Sequence, residues 1–145
     1  MRILLAPDSF KEAASAEAIA QAMARGIKRG NPQAECWLMP LSDGGEGLTH
    51  ALVHATGGTL HDVETVDAVG RPIIAQFGFL GNKHTSRTAV VELASASGLE
   101  RVSPADRNAL VASTFGTGLL IRAAIDAGAD RIVLGLGGKI GRASC

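Results

Sequence analysis

The sequence has no tyrosine, and aromatic residues make up 3% of it. It therefore lacks the stacking platforms on which single-stranded nucleic acid is bound. It also lacks a charge of one sign: Lys plus Arg number 14 and Asp plus Glu number 14. A partner such as duplex nucleic acid or an anionic membrane would favour a basic excess, so neither is expected. Cysteine is scarce, with Cys36 in a strand-like run and Cys145 at the last position. No disulfide framework is expected from this pair, and a reducing cytoplasm is the simplest location. No apolar run approaches the roughly 18 residues that cross a bilayer. The opening MRILLAPDSF carries one basic residue and too short an apolar run for a signal peptide. These absences leave a soluble chain with no nucleic-acid or membrane partner expected, its oligomeric state open.

What is present is aliphatic. Hydrophobic residues reach 46% of 145 positions, enough to bury a core of ordinary domain size. Arg2 to Ala6, RILLA, is closed by Pro7 and reads as a first buried strand. Ser15 is a candidate N-cap for a helix from Ala16 to Arg29, with Ile19, Met23 and Ile27 as its buried stripe. Gly30-Asn31-Pro32 stops that helix, and ECWLMP follows as a second strand. A strand-helix-strand unit of this kind pairs its strands in parallel. A second helix is expected around Leu48, Leu52 and Val53, ending at Gly57-Gly58. The runs TLHDVETV, RPIIAQFGFL and RTAVVELA have no helix between them and predict an antiparallel meander. A helix from Phe115 to Ala127 and the strand-like RIVLGLGG complete the pattern.

The fold class expected is α/β: a Rossmann-like parallel sheet with helices on both faces, plus an antiparallel β-meander lobe. Residues 1–58 are read as the first part of the α/β domain, 59–94 as the meander within a second lobe, and 95–138 as the return to the α/β domain.

Glycine, at 18 residues, marks the candidate site. Clusters occur at Asp8-Ser9-Phe10-Lys11, Asp43-Gly44-Gly45-Glu46-Gly47, Ser95-Ala96-Ser97-Gly98, Thr114-Phe115-Gly116-Thr117-Gly118 and Gly135-Leu136-Gly137-Gly138. Most sit where a strand ends or a helix begins, which is where open α/β sheets bind ligands. Glycine lets backbone N–H groups approach an anion, and helix N-termini favour negative charge. Asp8 and Asp43 should project from the ends of the first two strands toward one edge, suited to magnesium coordination, general-base work, or one of each. Lys11 suits a phosphate or a substrate carboxylate. The plainer readings are an Asx turn at Pro7-Asp8-Ser9, a helix entry at Asp43-Gly44-Gly45, and capping serines at 95 and 97. His50 and His54 have metal-compatible spacing but no third ligand, and read as a solvated helix face. Gly135 to Gly141 lacks both the room for a dinucleotide-binding helix and the Ser or Thr of a Walker A loop.

Taken together, APDSFKEAASAEAIAQAMARGI, MPLSDGGEGLTHALVHATGG, VELASASGLERVSPADRN and STFGTGLLIRAAIDAGADRIVLGLGG resemble the N-terminal part of the bacterial glycerate kinase family, of the glycerate 2-kinase type. The resemblance runs from residue 1 to Gly138, and the combination of PDSFK with SDGGEG is its most specific part. It implies a two-domain α/β enzyme, here incomplete, that transfers the γ-phosphate of ATP, with Mg2+, to a hydroxyl of D-glycerate, more often the 2-hydroxyl. On that reading, catalytic roles are expected for Asp8, Lys11 and Asp43, and substrate binding by Ser9, Asp43, Gly44, Gly45, Glu46 and Ser97. Nucleotide binding would fall to Thr114, Gly116, Gly118, Gly137 and Gly138, and a metal to Asp43.

After Gly138 the resemblance stops, and residues 139–145 are read as a non-native tail. The codons AAG ATC GGA AGA GCG TCG TGT specify those residues, and apart from the first base the string matches a common sequencing-adapter end. A truncated chain is expected to be inactive by itself. The competing readings are a non-catalytic α/β domain that binds small anions, and a kinase for another small hydroxy acid.

Overall fold

The computed structural model describes residues 1–10, 13–81 and 86–138. Their contacts divide the chain into two units, Met1–Asp43 and Gly44–Cys145.

In the first unit, β1 (Arg2–Leu5) and β2 (Glu35–Leu38) pair in parallel, with Arg2 opposite Glu35 and Leu5 opposite Leu38. The helix α1 (Ala16–Gly30) connects them, as the strand-helix-strand pattern requires. Its start is set locally: the Ser15 hydroxyl accepts from the Ala18 N–H at 3.2 Å. Its end is set by Lys28 and Arg29 in the last turn and by Asn31, whose N–H donates to the Ile27 carbonyl. The expected stripe needs correction. Ala20 is the residue α1 buries fully, Ile19 and Ile27 are half-buried, and Met23 is 45% exposed. A two-stranded sheet is narrow, so the small Ala20 makes the close contact and the flanking large residues stay partly open.

The second unit carries a four-stranded sheet in the order β3 (Thr59–Val66), β4 (Pro72–Phe79), β5 (Thr88–Glu92), β6 (Arg131–Gly135). The meander is present, with β3 antiparallel to β4 and β4 antiparallel to β5. On its far side β5 pairs in parallel with β6, so the antiparallel and parallel portions share one mixed sheet. Helices lie against both faces, as period-two alternation along the strands dictates. Phe77, Phe79, Ala89 and Val91 pack with Leu120 and Ala124 of α4 (Phe115–Asp126). Gly78, between two of those phenylalanines, faces Thr49 and Val53 of α2 (Leu48–Thr56). The short α3 (Leu93–Ser97) follows β5 directly. Every residue of β5 is buried, which explains its unbroken apolar run TAVV.

The β3–β4 turn is held by a buried acid. Asp67, 3% exposed, accepts from the N–H groups of Val69 and Arg71 at 2.9 Å each and from Arg71 Nε at 2.7 Å. Arg71 also reaches Asp106 at 3.2 Å, tying the turn to the 3-10 segment Pro104–Asp106. Burial alone would raise the Asp67 carboxyl, but the hydrogen bonds from Arg71 and Val69 and the Arg71 charge outweigh it and hold the group below its ordinary value.

Candidate functional site

The candidate residues fall on both units. In the first, the parallel pairing of β1 and β2 continues past the strands: the Met39 N–H donates to Leu5 O at 2.8 Å and the Leu41 N–H to Pro7 O at 3.0 Å. This ladder carries the two strand exits side by side. Asp8 then accepts from the Ser9 N–H at 2.6 Å through Oδ1 and from the Asp43 N–H at 3.2 Å through Oδ2. Asp8, Ser9 and Asp43 are thus brought together, as the strand order implies. The Asx turn expected at Pro7-Asp8-Ser9 is not formed: the Ser9 bond joins adjacent residues, and the Phe10 N–H that such a turn would use donates to Ala14 O at 3.0 Å. Asp8 is half-buried and Asp43 exposed. Lys11 lies outside the described residues.

In the second unit, three loops gather at the carboxyl ends of the parallel pair β5/β6, where Glu92 and Gly135 are register partners. Gly44, Gly45, Glu46 and Gly47 lie across the turn that follows β6. The Gly137 N–H donates to Gly44 O at 2.9 Å, and a Cβ on Gly137 would stand 2.5 Å from Gly45 Cα. This is backbone packed on backbone. The third loop joins at Leu99, whose N–H donates to Gly138 O at 2.9 Å. Gly135 and Gly137 therefore have a steric reason to be glycine, since a Cβ on either would meet the backbone of Gly44 or Gly45, while Gly44 and Gly47 adopt positive φ of 93° and 89°.

Glu46 is exposed, yet its carboxyl is raised above the ordinary value. Partial burial is the largest cause, followed by a hydrogen bond with the Glu100 carboxyl and by the charges of Glu100 and Glu92, while Arg101 pulls the other way.

Glu92 was not visible as a site residue in the sequence. It is 5% exposed at the end of β5, and its carboxylate accepts from the Gly47 N–H at 3.1 Å and from the Thr49 N–H. Its signal was the single acid closing the apolar run TAVVE.

Other predicted residues sit elsewhere in this unit. Ser97 is fully buried, its hydroxyl 2.9 Å from that of Thr117, which donates onward to Leu93 O at 3.4 Å. Ser95 bridges to Gln76, accepting from its N–H at 3.2 Å and donating to its carbonyl at 3.1 Å. Thr114 is exposed at the start of α4. Gly116 is buried against β3, where a Cβ would fall 1.9 Å from Val66 O. Gly118 has no atom within 4 Å of that position. His50 Nε2 is 3.1 Å from Gln76 Oε1, and among the described residues no group of three or more His, Cys, Asp or Glu side chains could hold a metal ion.

Fold and site together define an α/β protein with glycine loops collected at strand carboxyl ends. Residues 3–141 match the model of the Glycerate kinase family. The chain is 47% identical over 139 residues to glycerate kinase of Bacillus subtilis, covering 96% of this chain and 36% of that protein. It is 40% identical over 139 residues to glycerate 2-kinase of Escherichia coli, again covering 96% of this chain and 36% of the relative. A Salmonella typhimurium crystal structure assigned as glycerate kinase 2 superposes with a TM-score of 0.71 at 43% identity, covering 97% of this chain and 37% of that one. The chain belongs to the glycerate kinase family. It spans about 36% of the length of these curated relatives. No helix among the described residues is long and apolar enough to cross a membrane.

Proposed function

We propose that the protein acts as an ATP-dependent kinase for D-glycerate, transferring the γ-phosphate to a hydroxyl, the 2-hydroxyl in preference to the 3-hydroxyl, in the cytoplasm. The observation that carries this reading is the contact of the Asp43 N–H with the Asp8 carboxylate, which sets two acids side by side at neighbouring strand exits in a member of this family. Phosphoryl transfer is mostly positioning and charge neutralisation, so the protein must aim an alcohol and take its proton. Asp43, the more exposed of the two, is assigned as the base toward the substrate hydroxyl, and Asp8, oriented by the Ser9 N–H, as its positioning partner.

The hard oxygen donors of this pair fit Mg2+, which takes one or two carboxylates and completes its shell with water and phosphate oxygens. Bound with ATP, Mg2+ supplies neutralisation of phosphate charge. Lys11 is assigned to the substrate carboxylate or a phosphate. Ser9, Gly44, Gly45 and Glu46 are assigned to glycerate, and Thr114, Gly118, Gly137 and Gly138 to the nucleotide. Ser97, assigned with these to glycerate, and Gly116, assigned to the nucleotide, also have packing reasons for their identity.

The test is ADP release with D-glycerate, measured on the 145-residue chain and on a chimera in which residues 1–138 replace the matching part of the Bacillus subtilis relative. Turnover is expected from the chimera and not from the shorter chain. Asp43→Asn in the chimera should lower kcat by about 10²- to 10⁴-fold, the usual worth of a general base. Unchanged kcat and KM would remove Asp43 from the reaction. Binding without ADP release from the chimera would replace the kinase reading with anion binding alone. A panel of small hydroxy acids and product analysis by NMR fix the substrate and the position phosphorylated.

A further inference from the structure

The N-terminus of α2 is an exceptional helix start. The residue at its N-cap, Gly47, has φ 89° and no side chain with which to cap. Helix N-termini of this kind leave several N–H groups unpaired, and in a glycine-rich loop those groups would ordinarily be read as waiting for a ligand anion. Here two of them are already taken. Glu92, from the end of β5 and more than 40 residues away in sequence, accepts from the Gly47 N–H with one carboxylate oxygen and from the Thr49 N–H with the other. The side chain doing so is 5% exposed.

We propose that Glu92 is a positioning residue of the site: it caps α2 across the sheet and fixes the 44–47 loop in the conformation that packs on Gly137. Two features follow from one carboxylate. The loop is tethered at both ends, by Glu92 at Gly47 and by the Gly137 N–H at Gly44. A fixed negative charge also lies under the loop, where it adds to the Glu100 charge and the partial burial that hold the Glu46 carboxyl up, against the opposing pull of Arg101. Glu92 thereby commits the Gly47 and Thr49 amides internally, and an incoming phosphate has to be met by other donors. As a statement about catalysis this rests on the kinase reading; the capping itself does not.

The experiment uses NMR on the 145-residue chain, so its outcome is separate from whether any phosphoryl transfer occurs. In the wild type, a long-range HNCO should show coupling across the hydrogen bond from the Thr49 amide to the Glu92 Cδ, with the Gly47 and Thr49 amide protons both far downfield. Adding inorganic phosphate should leave these two amides in place. In Glu92→Gln, both amides should move upfield and the Glu46 Cδ titration midpoint should fall toward the ordinary carboxylate range. Glu92→Asp, shorter by one methylene, should keep one of the two bonds and restore the Glu46 midpoint in part. Absence of the Thr49–Glu92 coupling, or a phosphate-induced shift of the Gly47 and Thr49 amides, overturns the proposal even if the variants do not fold. So does a Glu46 midpoint unmoved by Glu92→Gln.

Discussion

Two glycines in the first turn of α4 should respond to the same substitution with opposite signs. At Gly116 a Cβ would stand 1.9 Å from Val66 O, 3.0 Å from Val66 C and 3.2 Å from Thr65 Oγ1. Two of these atoms are backbone of β3 and cannot rotate aside. The third belongs to a hydroxyl that donates to Gly116 O at 2.9 Å. Gly116→Ala therefore forces α4 off the sheet, loosening Leu120 and Ala124, both 0% exposed. Overpacking of this kind costs about 1–3 kcal/mol. The higher helix propensity of alanine returns at most about 1 kcal/mol. A net loss of roughly 1–2 kcal/mol is expected, at the upper end if the Thr65 bond breaks. At Gly118 nothing lies within 4 Å, so Gly118→Ala should gain about 0.5–1 kcal/mol from helix propensity. Urea denaturation followed by far-UV circular dichroism reads both. A Gly116→Ala chain as stable as the wild type would refute the packing argument. Gly118 also bears on function, because sterics give no reason for its glycine. If it lets a nucleotide approach, Gly118→Ala in the chimera should raise the KM for ATP while raising stability. An unchanged KM would withdraw Gly118 from the nucleotide assignment.

Thr49 Oγ1 is a buried side-chain oxygen with no hydrogen-bond partner among the described residues. Thr49→Val, which keeps the backbone N–H for Glu92, should stabilise by roughly 1 kcal/mol, and a loss of stability in urea would show that the hydroxyl is bonded. Because the Glu46 carboxyl is raised in the folded chain, it contributes stability that is whole below its unfolded value of 4.5 and is lost as pH rises through the folded value. Glu46→Gln should accordingly be the more stable protein at pH 7 and equal to the wild type below pH 4.5; a difference of opposite sign at pH 7 would contradict this. Asp67 behaves inversely, its folded value being lowered, so its contribution is present above the unfolded value of 3.8 and disappears as acid protonates it below that. Asp67→Ala should cost roughly 2–3 kcal/mol at neutral pH through its lost charge-assisted hydrogen bonds, with the penalty shrinking in acid. A penalty independent of pH would mean that the turn and not the charge matters.

Local features were legible in the residues themselves. Ser15 marks the start of α1, because a cap is made by a side chain a few positions away. The parallel pairing of β1 and β2 followed from the helix between them, and with it the meeting of Asp8 and Asp43 at adjacent exits. The family, too, was legible, since PDSFK and SDGGEG are contiguous strings. Met23 is exposed because apolar residues at every fourth position give the facing side of a helix but not the width of the sheet it faces. Ser97 pairs with Thr117, 20 residues on, through a helix contact that no spacing rule reports.

The sequence by itself determined the α/β class, most element boundaries and the membership of the glycerate kinase family, all of which depend on periodicity, capping and contiguous motifs. Only the tertiary structure decided why residue 137 is a glycine and what Glu92 does. Those answers depend on Gly45 meeting Gly137 and on Glu92 meeting Gly47 and Thr49. Each pairing joins residues far apart along the chain, brought within hydrogen-bond or van der Waals reach by the stacking of β5 beside β6. A side chain's burial and partners are properties of that assembled arrangement, and a linear pattern carries no record of them.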